Sequence, residues 1–317
     1  MRRICSPAFA EIALGVILLL APAALARGEA APRFIGVDED PDEILEVIST
    51  ARSRSFKPVG HSSVVLRMRT VARVTAAMKV RSHELPDGYR NEIAAYRLSR
   101  ELGLDNVPPT TYRRVRWNEV RNRFHDDMLD RRAKVKRRVL WDDDASAPGA
   151  AIYWVKGMRS VGYEDVSRWK DWVREGEIPK GKEPLARDFS NMAVFDMLIG
   201  NWDRFSGGNF PADATRRRAL LRDNDRGFST PLLEPRFQRL LQRLSKTERF
   251  SRSTVERLRL LDEEAIVRAL ETNPDSEVGP LLGARQIADV LERRATILSH
   301  IGALIDERGE DQVLVFP

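Results

Sequence analysis

Apolar residues follow two kinds of spacing in the first half of the chain. In residues 41–51 and 90–103 they recur at helical spacing, so each segment is predicted to be a helix. Residues 56–80 instead contain β-branched residues that partly alternate with polar ones, which predicts strands. The apolar run at 151–155 predicts a further, buried strand. Strands therefore dominate the early part of the chain.

The second half has the pattern of a helical protein. Residues 186–200 and 284–307 predict helices, and residues 218–222 predict only a short strand. A succession of strands followed by helices is typical of an α+β protein. We expect a small β-rich lobe over residues 56–155 and a helical lobe over residues 156–317.

The N-terminus has the features of a secretory signal peptide. Basic residues open the chain, residues 12–26 carry no charge, and this run ends in the A-x-A pattern Ala24-Leu25-Ala26. The run is short for a membrane span, although an uncleaved anchor stays open as the alternative. We predict a signal peptide at 1–26, then a linker and N-terminal helix at 27–55. The protein would be exported to the periplasm, the cell surface or the medium, without a stable membrane span after cleavage.

Composition and charge add two constraints. The only cysteine, Cys5, lies in the predicted signal peptide, so the mature chain would contain no disulfide. The net charge of +6 is compatible with an anionic partner. Much basic charge lies in residues 113–138, where no nucleic-acid-binding module accompanies it, so we expect no nucleic-acid partner. This run is predicted to be a solvated helix or insert, with a docking surface for an acidic protein or a sulfated glycan as the alternative.

Several catalytic classes lack their sequence signals. The four histidines show no metal-ligand spacing and the mature chain would have no thiol, which argues against a structural zinc site. The G-x-S-x-G motif of many serine hydrolases and the Walker G-x-x-x-x-G-K-[ST] motif are absent. A Ser-His-Asp triad is defined by geometry and not by sequence order, so that alternative stays open.

The segment FDMLIGNWDRFSGGNF, residues 195–210, contains more polar groups than a turn requires. Its Asp203 follows a helix, and Asp223 lies 20 residues later, at the end of the predicted strand 218–222. A hairpin between them would bring the two carboxylates into one cleft. Carboxylates together with an amide such as Asn209 offer the hard oxygen ligands that Mg²⁺ and Mn²⁺ prefer. Phosphoryl transfer needs such a cation on the phosphates and a carboxylate at the acceptor.

Two residues upstream fit the same chemistry. Lys79 ends a predicted strand, and Glu92 lies 13 residues later in the first turn of the next predicted helix. A strand lysine that a helix glutamate holds in place would present its ammonium group to nucleotide phosphates. Each residue also has a plain structural explanation, because glutamate is favoured at a helix N-terminus and a lysine at a strand end is usually solvated.

Three blocks of the sequence resemble the Fam20-type secretory-pathway kinases and their bacterial relatives. The blocks are NEIAAYRLSRELGLDNVPPT, FDMLIGNWDR and LLRDNDRGFS, in this order. This family is an atypical branch of the protein-kinase-like fold, and the HipA-type kinases are more distant relatives. The resemblance extends over roughly residues 56–300. It implies a two-lobed kinase-like fold with a β-rich N-lobe and a helical C-lobe.

The resemblance also implies an activity and its cofactors. The protein would transfer the γ-phosphoryl group of ATP, or of another nucleoside triphosphate, with Mg²⁺ or Mn²⁺. The acceptor would be a hydroxyl group of a protein Ser or Thr, or of a glycan, and the acceptor could be acidic. A nucleotide-binding pseudokinase that regulates a partner and a metal-dependent phosphate-ester hydrolase stay open as alternatives.

The resemblance further implies roles for individual residues. Lys79 would contact the phosphates, and Glu92 would be its partner. Asp203 would be the catalytic carboxylate, and Asp223 would hold the metal. Asn209 would be the second metal ligand. The glycine loop that covers the phosphates would correspond to Gly60, together with His61 and Ser62.

The chain departs from the family pattern at two positions. Where the family loop reads Asp-Arg-His, Phe205 takes the place of the histidine, and where the later block reads Asp-Asn-Gly, Asp225 takes the place of the glycine. Neither change deletes a proposed metal ligand or proton acceptor. Arg204 and Asp196 are predicted to brace the loop and not to react. The absence of disulfides favours a relative of bacterial type.

Overall fold

The computed structural model of this chain contains a five-stranded antiparallel sheet in its first half. Its spatial order is β1-β2-β3-β5-β4. The strands are β1 (Ser53–Val59), β2 (Val65–Thr70), β3 (Thr75–Val80), β4 (Thr110–Arg116) and β5 (Ser146–Tyr153).

The structure describes residues 33–35, 37–60, 63–161, 169–206, 208–271 and 278–317. These residues belong to one compact unit. The predicted signal peptide with Cys5 lies outside the described residues, and so do His61 and Ser62. Among the helices of the described ranges, none is both long and apolar enough to cross a membrane.

Within the part of the chain that the structure describes, four α-helices precede β5 in sequence, and the part after β5 is mainly helical. Before β5 lie α1 (Pro41–Thr50), α2 (Gly88–Glu101), α3 (Trp117–Asn122) and α4 (Arg132–Arg138). After β5 come α5 (Glu183–Ile199), α6 (Glu234–Ser245), α7 (Arg252–Leu260), α8 (Glu263–Leu270), α9 (Ala284–Arg308) and α10 (Glu310–Val313). A two-stranded pair, β6 (Arg159–Ser160) and β7 (Pro211–Ala212), lies in the second half.

Two apolar clusters divide this architecture. One lies around the sheet and includes Ile48 of α1, Leu66 of β2 and Met78 of β3. The larger one joins α2 to the helices of the second half. The β-rich start and the helical remainder agree with the prediction of an α+β protein. Helix α2 lies between β3 and β4 in sequence but packs into the larger cluster, so it connects the two halves.

Helix α5 is buried along almost its whole length and ends where the pattern predicts. Gly200 adopts a left-handed conformation, with φ of 71°, and its N–H bonds the carbonyl of Met197. Glycine pays little for this conformation, so it stops the helix sharply. The buried guanidinium of Arg293 on α9 donates to the carbonyl of Leu198 at 2.8 Å. The loop that begins at Asn201 therefore starts from a fixed point.

The strand predicted at 218–222 is wrong. Only an isolated bridge joins Ala219 to Ala212 there. Strand β7 is two residues long, and the next N–H groups have different partners, since Leu220 bonds the carbonyl of Pro211 and Leu221 that of Asn106. No regular ladder can form under these conditions, so the segment that leads to Asp223 is irregular.

Strand β5 begins at Ser146, five residues before the apolar run that predicted it. Its early part is made of small residues, and Gly149 explains why. A Cβ atom at Gly149 would lie 2.5 Å from Cε of Met78 and 2.6 Å from the carbonyl oxygen of Lys79. Strands β3 and β5 are therefore packed closely where Lys79 pairs with β5, near the end of β3.

The basic run 113–138 starts in β4 and continues through α3 and α4. Lys134, Lys136 and Arg137 of α4 are exposed, while Val135 is buried. Most of this charge is thus at the surface, which is what a solvated insert requires.

Candidate active site

Lys79 lies at the centre of a buried group of charges. Its ammonium nitrogen is 2.7 Å from Oε1 of Glu92, 2.5 Å from Oδ1 of Asp223 and 2.7 Å from Oδ2 of Asp225. Only 6% of Lys79 and 2% of Glu92 is exposed to solvent. We call these four residues the Lys79 cluster. The sheet, helix α2 and the loop after residue 222 meet in it.

Glu92 lies deeper in its helix than the sequence pattern indicated. Helix α2 begins at Gly88, so Glu92 is in the second turn, and the first turn contains no acidic residue. The attraction of an acidic side chain to a helix N-terminus falls off within the first turn. The contact with Lys79 therefore accounts for this buried carboxylate better than the helix dipole does.

The charges of the Lys79 cluster shift one another's pKa. Burial would lower the pKa of Lys79, but the three carboxylates outweigh it and hold the pKa well above the usual range. Burial raises the pKa of Glu92 and of Asp225 against the opposing effect of Lys79. Burial acts in the same sense on Asp223, but there Lys79 prevails and lowers the pKa. One ammonium group thus offsets only part of the negative charge.

The loop that carries Asp223 and Asp225 is fixed by α2. The amide nitrogen of Asn91 donates to the carbonyls of Asp225 at 2.8 Å and Gly227 at 3.0 Å. Asp223 itself has a left-handed backbone with φ of 62°. Aspartate tolerates this conformation better than most residues. The unusual dihedral angle therefore falls at Asp223 and not at Asp225, where a glycine was expected.

Asn201 connects the Asp203 loop to the Asp223 loop. Its side-chain oxygen accepts from the N–H of Asp203 at 3.3 Å, and its nitrogen donates to the carbonyl of Asp223 at 3.3 Å. Asn201 is fully buried, whereas Asp203 is half-buried. The carboxylate of Asp203 accepts a hydrogen bond from Ser206 at 2.5 Å. The two aspartates thus lie on adjoining loops that share one buried amide.

A second buried group holds the Asp203 loop in place. The guanidinium of Arg204 makes a bidentate pair with Asp196, with a shortest contact of 2.7 Å, and Arg243 donates to the same carboxylate at 2.9 Å. The remaining N–H groups of Arg204 donate to the carbonyls of Asn209 and Arg222 and to Oδ1 of Asn224. We call Asp196, Arg204 and Arg243 the Arg204 cluster. As predicted, Arg204 and Asp196 brace the loop.

The described residues contain one group of acids that could hold a metal ion. Glu92, Asp223 and Asp225 each offer a carboxylate oxygen, and these oxygens lie within 4.8 Å of one another. Carboxylate oxygens are the ligands that Mg²⁺ and Mn²⁺ prefer, so the donor set fits such a cation. With all acids ionised, three carboxylates and one ammonium carry two surplus negative charges, which a divalent cation would neutralise.

Comparison with known proteins identifies the family. Residues 156–313 match the family model described as Fam20C, Golgi casein kinase, C-terminal. The human glycosaminoglycan xylosylkinase is 30% identical over 264 residues, which is 72% of this chain and 63% of that protein. The chain belongs to the Fam20 family. It spans 63% of the length of this curated relative.

Solved Fam20 structures have the same fold. The Golgi casein kinase with Mn/ADP bound superposes with a TM-score of 0.65 at 17% identity, over 88% of this chain and 79% of that chain. The hydra Fam20 with sugar gives a TM-score of 0.64 at 17% identity, over 90% of this chain and 95% of that chain. The predicted α+β, kinase-like fold is confirmed.

Two residues assigned from the family resemblance, Gly60 and Asn209, have no described contact with the Lys79 cluster. Gly60 follows β1, whose last residue pairs with Val65, and Val65 pairs with Lys79. Gly60 is thus at the same end of the sheet as Lys79, with φ of 79° and open space around it. Asn209 is buried, and its amide nitrogen donates to the carbonyl of Asp203 at 3.1 Å. Both roles stay predictions.

Sequence reasoning overlooked Asp225 and Asn201 as site residues. Asp225 was noted only as an added charge, and Asn201 only as one polar group among several. The signal for Asp225 was its distance of two residues from Asp223 in a segment that also contains Asn224. Asn201 had a weaker signal, since an asparagine after a helix-ending glycine is common in turns.

Two cavities adjoin the Asp203 loop of this Fam20 protein. The larger, about 380 Å³, lies between β6, residues 208–211 and Arg222. The smaller, about 270 Å³, lies between Trp169 and α6. Phe205 lines both, and the guanidinium of Arg243 lies 4.5 Å from the centre of its ring. The residue that replaces the family histidine is therefore an aromatic wall between two openings.

Proposed function

We propose that this chain is an exported Fam20-type kinase. It transfers the γ-phosphoryl group of ATP, or of another nucleoside triphosphate, to a hydroxyl group of a protein Ser or Thr or of a glycan, with Mg²⁺ or Mn²⁺. The observation that carries the proposal is the contact of Lys79 with Glu92 and Asp223. A sheet lysine is thereby joined to a helix glutamate and to a loop aspartate in the order that kinases use.

In this proposal the phosphates bind at the Lys79 cluster. The ammonium of Lys79 donates to phosphate oxygens, while Glu92 holds that ammonium in place from α2. Asp223, with Glu92 and Asp225 beside it, supplies carboxylate oxygens to the metal, and Asn209 is a further candidate ligand. The metal, when bound, neutralises charge on the phosphates and orients them. Gly60 would belong to the loop over the phosphates.

Asp203 is the proposed catalytic residue on the acceptor side. Its carboxylate accepts the proton of the acceptor hydroxyl, while the hydrogen bond from Ser206 orients it. Asn201 and the Arg204 cluster keep its loop beside that of Asp223. Catalysis here consists of positioning and charge stabilisation, without a covalent intermediate.

An acidic acceptor is supported by the smaller cavity. Its lining contains Lys170, Arg239, Arg243 and Lys246 but no acidic residue. Among the residues that the structure describes, no carboxylate lies within ion-pair distance of Lys170, Arg239 or Lys246. An acceptor that carries negative charge near its hydroxyl group would find complementary charge in this cavity, whose wall includes Phe205, two residues from Asp203.

The remaining organisation is proposed on the sequence. A signal peptide at 1–26 would export the chain, and residues 27–55 would precede a kinase-like N-lobe at 56–155 and a C-lobe at 156–317. Export is supported by the secretory character of the family and by the uncharged run at 12–26. Detection of a mature chain that begins at residue 27 in the exported fraction tests this part.

Radiolabelled γ-phosphate transfer tests the proposed function. Purified protein, [γ-³²P]ATP, Mn²⁺ and periplasmic or surface extracts should yield labelled acceptors. Asp203→Ala should lower the rate about 10²- to 10⁴-fold, the usual effect of losing a general base, while ADP binding with Mn²⁺ persists in calorimetry. The matched control is Asp143→Ala, which changes an exposed carboxylate of the N-lobe and should leave the rate unaltered.

The alternatives give different results in the same assay. Nucleotide binding without any transfer would indicate a pseudokinase. Release of free phosphate with no labelled acceptor would indicate a phosphate-ester hydrolase. Labelling that survives Asp203→Ala would contradict the role of Asp203.

A further inference from the structure

Asp225 is buried where the family pattern has a glycine. Only 6% of it is exposed, and its Oδ2 lies 2.7 Å from the ammonium of Lys79. Its backbone carbonyl accepts from the amide of Asn91 at 2.8 Å. Contacts to its side chain and to its backbone thus hold Asp225 inside the Lys79 cluster. The family pattern, which has a glycine here, lacks this carboxylate.

The extra carboxylate changes the charge of the cluster. Glu92, Asp223 and Lys79 alone would carry one surplus negative charge when ionised, and a divalent cation would reverse it to one positive charge. With Asp225 present the surplus is two, and a divalent cation brings the four side chains to neutrality. The cation then needs no phosphate group to complete its charge balance.

A buried side-chain oxygen beside the cluster also lacks a described hydrogen-bond donor. Oδ1 of Asn91 belongs to the same amide that bonds the carbonyl of Asp225, and Asn91 is 8% exposed. Among the described residues this oxygen has no hydrogen-bond partner. A buried acceptor without a donor is unfavourable unless water or a ligand satisfies it. A hydrated cation held by the neighbouring carboxylates would supply such a donor.

We propose that Asp225 makes the Lys79 cluster a divalent-cation site that fills before the nucleotide binds. The proposal rests on the proposed function in one respect, that the same carboxylates later hold the metal of the nucleotide. Glu92, Asp223 and Asp225 are the ligands. The contrary explanation is that Asp225 only holds Lys79 in position, and it predicts no effect of Asp225 on metal affinity in the absence of nucleotide.

Mn²⁺ binding by nucleotide-free protein decides between these explanations. The purified full chain is stripped with a chelator, dialysed and titrated with MnCl₂, and free Mn²⁺ is counted by electron paramagnetic resonance. Wild type should bind one Mn²⁺ per chain. Asp225→Asn keeps the shape and a hydrogen-bonding oxygen for Lys79 but removes the charge, and should weaken binding at least about tenfold. The matched control Asp143→Asn, exposed and remote in sequence, should bind as wild type does.

Two results would overturn the proposal. One is wild-type protein that binds no Mn²⁺ until a nucleotide is added, and the other is equal affinity in wild type and Asp225→Asn. If Asp225→Asn fails to fold, Asp225→Gly, which restores the family residue, takes its place in the titration. The midpoint of thermal unfolding gives a second readout, because Mn²⁺ should raise it more in wild type than in either variant.

Failure of this proposal is distinguishable from failure of the proposed function. A chain that transfers phosphate but whose Mn²⁺ affinity without nucleotide is independent of Asp225 remains a kinase, and the inference about Asp225 is wrong. A chain that binds Mn²⁺ through Asp225 yet neither binds nor uses ATP refutes the kinase proposal and leaves the cation site.

Discussion

The Lys79 cluster and the Arg204 cluster are both buried, and they differ in the sign of their surplus charge. In the first, one ammonium contacts three carboxylates. In the second, two guanidinium groups share the carboxylate of Asp196. Arg204 and Asp196 are fully buried, whereas the side chain of Asp223 is 30% exposed. One cluster is therefore closed, and the other opens towards solvent.

The clusters also differ in whether their polar groups all have partners. All five N–H groups of Arg204 have acceptors, two on Asp196 and three on oxygens of the neighbouring loops. A buried polar group with every bond made stabilises one conformation. The Lys79 cluster retains negative charge that no described side chain neutralises by direct contact. We infer that the Arg204 cluster serves structure and the Lys79 cluster serves binding, and four substitutions test this contrast.

The largest effect is expected for Arg204→Met. It leaves the carbonyls of Asn209 and Arg222 without a buried donor and removes one partner of Asp196. We expect the free energy of unfolding to fall by about 3–5 kcal/mol, as for other broken buried pairs, measured by urea denaturation. Arg121→Met, at an exposed arginine of α3, is the control and should change it by no more than about 0.5 kcal/mol. A loss below about 1 kcal/mol for Arg204→Met would mean that the loops hold without this cluster.

Lys79→Met is the corresponding change in the other cluster. Charge-assisted hydrogen bonds contribute about 1.5–3 kcal/mol, so we expect the affinity for ADP with Mn²⁺ to fall about 10- to 150-fold in calorimetry. Added Mn²⁺ should recover part of the stability that this variant loses, because the cation replaces the missing charge. Arg204→Met keeps the Lys79 cluster, so Mn²⁺ should stabilise it no more than it stabilises wild type, and the loss relative to wild type should remain. Lys134→Met, at an exposed lysine of α4, is the control. Equal ADP affinity in Lys79→Met and wild type would remove Lys79 from the binding site.

Gly149→Ala tests the sheet that carries Lys79. The added Cβ would meet the carbonyl oxygen of Lys79 at 2.6 Å and force β3 and β5 apart. We expect a loss of about 1–3 kcal/mol in the free energy of unfolding, as for other overpacked sites. Gly302→Ala is the matched control, since nothing lies within 4 Å of its Cβ and it is inside α9. That variant should be slightly more stable, and a similar loss in both would argue against the clash.

The smallest effect is expected for Ser206→Ala. It removes the hydrogen bond to the carboxylate of Asp203 at an exposed position. A typical intramolecular hydrogen bond contributes about 0.5–1.5 kcal/mol; the acceptor here is a carboxylate, but exposure to solvent weakens the bond, so we expect kcat to fall about two- to tenfold with unchanged stability. Ser245→Ala, at the exposed end of α6, serves as the control. No change in kcat would show that Asp203 is oriented by other contacts.

Much of the fold could be read from the pattern of the chain. Helices α1, α2, α5 and α9 were each predicted within a few residues, because each buries one stripe or its whole surface. The start of β5 was missed because its residues are small, and small residues carry no β-branched signal. The strand at 218–222 was predicted from apolar residues. These residues are buried, but no described neighbouring strand pairs with them in a regular ladder.

The site was predictable where motif and local structure coincide. The contact between Lys79 and Glu92 followed from a strand followed by a helix. The contacts of Asp225 could not be read in this way, since they depend on where the left-handed turn falls, and Asp223 takes that conformation instead. The shared amide of Asn201 depends on two loops 22 residues apart in sequence, a distance at which no local pattern carries information.

Asn201 has a consequence for how such a protein can diversify. Because this one buried side chain bonds the N–H of Asp203 and the carbonyl of Asp223, the spacing of the two aspartates is set by contacts inside the protein. In the proposed kinase, changes in the cavity walls, at Phe205 or along α6, would therefore alter the choice of acceptor without altering that spacing.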